Sequence, residues 1–152
     1  MEKDIFAAVA SGDLIAVREA LGNGLPADTR DRYGRSLLLI ATRNRLLEMA
    51  TDLVGYGADV NLQDNELYSP FLYAGTIGAT PLVELYLRNG ARFDVFNKYN
   101  GTALIPACER GHVETVRVLA RFPGFPINHI NRLGWTALLE AVILGDGSEK
   151  YA

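Results

Sequence analysis

Cysteine is almost absent from this chain. Cys108 stands alone among 152 residues, so no disulfide can form within the molecule. A lone thiol fits a reducing compartment, and a cytoplasmic setting is the expectation. Histidine is nearly as scarce, with only His112 and His129. A four-ligand zinc site would have to draw carboxylates from scattered loops, so neither a metal nor a cofactor is expected. No apolar run approaches the roughly 20 residues of a membrane span, and no membrane role is expected. The apolar stretch Ile5 to Ala10 is short and flanked by Asp4 and Asp13, which argues against a secretory leader. Gly-rich phosphate loops, nucleophile elbows and His-Glu-x-x-His motifs are missing too. Charge of one sign is also lacking. The net is −3, so bulk charge favours neither nucleic acid nor an anionic membrane.

What the chain does have is a period. Asp31, Asp64, Asn97 and Asn131 open four segments that read alike, at intervals of 33, 33 and 34 residues. Self-similarity on this scale indicates stacked supersecondary units rather than one globular core. Each unit starts with a polar turn: Asp31-Arg32-Tyr33-Gly34, Asp64-Asn65-Glu66-Leu67, Asn97-Lys98-Tyr99-Asn100 and Asn131-Arg132-Leu133-Gly134. Gly and Asn tolerate positive φ at the fourth position, and Leu67 alone breaks that pattern.

A short helix follows, capped by Ser36, Ser69, Thr102 or Thr136. Five residues on come Ala41, Ala74, Ala107 and Ala141, matched by Ala8 in the preceding unit, where a small side chain lets the next unit approach. Gly12, Gly78, Gly111 and Gly145 recur between the helices, where a helix end favours left-handed backbone. Arg45 takes that place in the first full unit. A second helix repeats a buried face: Ala16, Val17, Ala20, Leu21; Met49, Ala50, Leu53, Val54; Leu82, Val83, Tyr86, Leu87; Thr115, Val116, Leu119, Ala120. A loop such as Gly57-Ala58-Asp59-Val60-Asn61 closes the unit.

Gly57-Ala58-Asp59-Val60-Asn61 followed by Asp64 closely resembles the hairpin of ankyrin repeats. The openings Ser69-Pro70-Phe71 and Thr102-Ala103-Leu104 resemble that family's Thr-Pro-Leu start. The resemblance covers about residues 3 to 145. It implies an all-α solenoid of helix–turn–helix units joined by β-hairpin-like loops. The whole chain, 1–152, is then a single domain with units at about 3–30, 31–63, 64–96, 97–130 and an incomplete 131–152. The family's usual His after the cap is replaced by Leu39, Leu72, Ile105 and Leu139, so apolar packing should substitute for its hydrogen bonds. Pro106 should loosen its short helix locally. The last unit, as the sequence reads, is expected to be without a second helix. The expectations there are fraying from the C-terminal end, and either a monomer or a weak dimer through that uncapped end.

Cys108 and His112 could be a nucleophile–base pair or two metal ligands, but Gly111 breaks the helix between them, and both fall at structural positions of the family. No catalytic residue is therefore expected. Leu53, Asp59, Val60 and Asn61 resemble the surroundings of asparagines hydroxylated in some ankyrin repeats. The simpler reading is that Asn61 holds its hairpin.

The resemblance implies that a partner meets the concave face, formed by turn tips and the exposed side of each first helix. Carried over by alignment, the partner-binding residues are Arg32, Tyr33, Arg35, Arg43, Glu66, Tyr68, Lys98, Tyr99, Arg110, Arg132, Leu133 and Trp135, with Ile77 and Glu109 beside them. Six of these are basic and two acidic, a net +4 on a chain of −3. Tyr, Trp and Arg dominate interface hot spots. The expectation is a non-catalytic interaction module (adaptor, inhibitor or targeting domain) that binds an acidic protein segment and no nucleic acid. A Cys/His enzyme or metal protein is one alternative, and a nucleic-acid binder using the basic–aromatic face is the other.

Overall fold

The computed structural model describes residues 4–97, 107 and 110–123. Seven α-helices lie within them: α1 (Ile5–Ser11), α2 (Leu14–Gly22), α3 (Leu37–Arg43), α4 (Leu47–Gly55), α5 (Pro70–Ile77), α6 (Thr80–Leu87) and α7 (Val113–Arg121). Strands are absent among the described residues, apart from one isolated antiparallel bridge between Arg30 and Ser36.

Four helix starts, those of α1, α2, α3 and α5, carry a side-chain cap. The Asp4 carboxylate accepts from the amides of Phe6 and Ala7, and that of Asp13 accepts from Ala16. Ser36 Oγ accepts from Leu39 at 3.1 Å and Ser69 Oγ from Leu72 at 3.0 Å, as the sequence predicts. Pro70 occupies the first turn of α5, where its missing N–H costs nothing. Asp4 and Asp13 thus work as caps, while Arg18 bridges to the next unit's Asp52 at 2.6 Å and Glu48 at 3.7 Å.

Helix pairs α1–α2, α3–α4 and α5–α6 each form a hairpin. First helices then stack on first helices, α1 on α3 on α5, and second helices on second helices, α4 on α6 on α7. The repeated apolar positions meet at these contacts. Val17, Met49, Ala50, Leu53, Leu82, Val83, Tyr86, Val116 and Leu119 are all buried. Ala8, Ala41, Ala74 and Ala107 are buried as well, as close approach between units requires. Leu39 and Leu72, at the family's His position, lie in the apolar interior. Along α3 every residue from Leu37 to Thr42 is buried, and Arg43 alone reaches solvent.

The connector between helices turns on left-handed backbone at Gly12, Gly78 and Gly111, with φ between +70° and +79°. Arg45 adopts the same region at φ +56° without being glycine. Its guanidinium donates to the carbonyl of Ile77, at the end of α5, at 2.7 Å. A cation at a helix C-terminus is favourable, and this contact offsets the backbone strain. Gly78 has a second reason to lack a side chain: a Cβ there would stand 2.5 Å from the His112 ring.

Loops are tied to one another across units. Asp28 accepts from the amide of Asp59 at 2.9 Å. One period later Asn61 donates to Gly90 O at 2.9 Å and accepts from the amide of Arg92 at 2.8 Å. The Asn61 amide therefore clasps the following loop rather than only its own hairpin. Pro106, Cys108 and the whole fourth unit, with the expected C-terminal fraying, lie outside the described residues.

Candidate interaction surface

The surface begins in the turns. In the first, Asp31 Oδ1 accepts from the amides of Tyr33 and Arg35, both at 2.9 Å, and its Oδ2 from Arg35 Nε at 3.0 Å. Asp64 repeats the device, accepting from the amides of Glu66 and Tyr68 at 2.9 Å. In both turns the opening residue's amide closes a hairpin, Asp31 onto Arg35 O and Asp64 onto Tyr68 O. Adjacent tips are joined by the Asn65 amide donating to Tyr33 O. Burial works against the Asp31 carboxylate, yet the Arg35 and Tyr33 amides and the Arg35 guanidinium outweigh it and hold its pKa below the usual carboxylate value.

On this frame Tyr33 stands half exposed, at 49%. The Arg35 guanidinium carbon lies 4.6 Å from its ring centre and that of Arg32 lies 5.0 Å away. The next cluster lies across a unit boundary. Arg43, at the end of α3, sits 5.0 Å from the ring centre of Tyr73 on α5. Tyr73 meets Tyr68 edge to face at 5.4 Å. Each such arginine–ring contact contributes about 0.5–1 kcal/mol at an exposed site.

Of the residues that the alignment nominates, the structure thus brings Arg32, Tyr33 and Arg35 into one cluster and Arg43 and Tyr68 into a second. Glu66 is exposed at the second turn tip and Arg110 is exposed ahead of α7. Lys98, Tyr99, Glu109, Arg132, Leu133 and Trp135 lie outside the described residues. Two corrections follow. Arg35 is paired with Asp31, which the charge count omitted, so part of the expected positive excess is neutralised. Tyr73, which the alignment passes over, anchors the second cluster. Its signal was an aromatic four residues after the Ser69 cap, and no other unit shares it.

His112 precedes α7, makes no side-chain cap and packs over Gly78. Among the described residues no group of three or more His, Cys, Asp or Glu is placed to hold a metal. No described helix is long and apolar enough to cross a membrane.

A stack of paired helices linked by aspartate-closed turns defines a helical repeat solenoid. Comparison with known proteins says which one. A family model for three copies of the ankyrin repeat matches residues 71–151, and the single ankyrin repeat matches residues 33–65. The ankyrin repeat protein YahD of Escherichia coli K12 is 32% identical over 147 residues, which is 97% of this chain and 73% of that protein. The B-cell lymphoma 3 protein homolog of mouse is 34% identical over 114 residues, 74% of this chain but 25% of its own length. The crystal structure of an ankyrin repeat domain from Acinetobacter baumannii AYE superposes with a TM-score of 0.80 at 46% identity, covering 97% of this chain and 74% of that one. The chain belongs to the ankyrin repeat family. Ankyrin repeats generally mediate protein–protein interaction, and the fold is generally a non-enzymatic one.

Proposed function

We propose that this chain is a non-catalytic binding module that holds an acidic segment of a protein partner against its turn tips and first helices, the concave side of the solenoid. The observation that carries this reading is the paired clustering of arginine on tyrosine, Arg32 and Arg35 on exposed Tyr33, and Arg43 on part-buried Tyr73. Such groups combine large contact area, low entropy cost and positive charge, the composition of interface hot spots. Arginine at the rim would also speed the approach of an acidic partner. The reading makes the protein a non-catalytic adaptor, inhibitor or targeting domain, and its single cysteine suits a cytoplasmic setting.

The test is affinity capture from a lysate with the parent protein and with an Arg32→Ala, Tyr33→Ala, Arg43→Ala variant of equal thermal stability, each at low and high salt. The expected result is a protein retained by the parent at low salt, weakened by salt and lost with the variant. Equal retention by both proteins would place binding elsewhere.

A further inference from the structure

Two guanidiniums on this surface combine exposure, a tyrosine ring and no carboxylate of the described residues. Arg35 spends its Nε on Asp31, and Arg92, Arg117 and Arg18 each meet a carboxylate of their own chain. Arg32 and Arg43 are exposed and meet no carboxylate among the described residues; each instead lies over a tyrosine ring, 5.0 Å from its centre. Contact with a ring supplies no carboxylate acceptor. The in-plane N–H donors are left over, and they form a fork matched to the two oxygens of a carboxylate. Because each ring contact restrains its arginine, less side-chain entropy remains to be lost when an anion arrives.

We infer that Arg32 and Arg43 are two preset carboxylate forks, and that the partner is an extended acidic segment whose carboxylates reach both at once. This deepens the binding reading above and rests on it. Arg32 lies in the turn ahead of α3, and Arg43 is the last residue of that seven-residue helix. Tyr68 and Tyr73 lie next to the Arg43 fork and offer an aromatic floor to an apolar side chain near that carboxylate.

The distinction from plain charge attraction is testable, because lysine keeps the charge but neither the plane nor the fork. The probe is a fluorescein-labelled oligoglutamate peptide, titrated by anisotropy at low salt. The proteins are the parent, Arg32→Lys/Arg43→Lys, Arg32→Ala/Arg43→Ala, and a control pair Arg88→Lys/Arg121→Lys on exposed arginines away from these rings. All must keep the parent's thermal midpoint. The expected result is at least about tenfold weaker binding for both variants of the forks and no change for the control. If the lysine variant binds like the parent while the alanine variant is weakened, charge alone suffices; the fork is then overturned and the binding face survives. If both variants bind like the parent, or the parent itself does not bind, the acidic-segment reading of this face falls with it.

Discussion

Leu67 and Arg45 are the two non-glycine residues with positive φ among those described, at +66° and +56°. They are not equivalent. Arg45 returns a hydrogen bond to Ile77 O, whereas Leu67 is 43% exposed at a turn tip. Left-handed backbone costs a side-chain-bearing residue about 1–2 kcal/mol, and glycine gives back about 0.5–1 kcal/mol of that in chain entropy. Leu67→Gly should therefore raise stability by about 0.5–1 kcal/mol, and Arg45→Gly should bring no gain, as urea midpoints will show. A second residue-scale case is buried. Tyr86 Oη and Thr42 Oγ1 are 2.6 Å apart, with Thr42 donating to Leu38 O, which leaves the tyrosine as donor between them. Burial pushes the Tyr86 phenol far above its ordinary pKa, and the Thr42 hydrogen bond only partly opposes this. Thr42→Val strands that hydroxyl and should cost about 1–3 kcal/mol, while Tyr86→Phe, which removes it, should cost no more than about 1.5 kcal/mol.

At the scale of the element, the turn and the connector carry the predictions. The folded Asp31 holds a proton less readily than the unfolded one, so its contribution is present above its unfolded pKa, near 4, and is lost as pH falls through the lower folded value. The urea midpoint should drop between pH 5 and pH 2, and by less in Asp31→Asn, which keeps an acceptor oxygen but does not titrate. At the connector, Gly78→Ala forces a Cβ into the His112 ring on left-handed backbone and should cost about 2 kcal/mol or more; adding His112→Ala should recover the part due to the clash. These elements were legible because they recur. Ser36 and Ser69 as caps, the alanines at close approaches and the paired apolar face are statements that every unit makes. Contacts that occur once were not legible. Tyr73 has Ile40 at the same position one unit earlier, and its partner Arg43 comes from the neighbouring unit. Tyr86 reads as one more apolar residue until Thr42, 44 positions away, supplies its hydrogen bond. A period records what is common to the units, and a binding site depends on how they differ.

At the scale of the whole molecule, each unit touches its neighbours, so the loop clasps at Asp28 and Asn61, the Arg18–Asp52 pair and the stacked cores hold the array together one interface at a time. Such an array offers a long surface, and the proposal is that a partner rests on it at the arginine–tyrosine clusters. Amide hydrogen exchange of the protein with and without its captured partner tests this most directly. The account predicts new protection at residues 31–36, 43–45 and 64–73, with the outer helices α2, α4 and α6 unchanged. Protection confined to those outer helices would contradict it.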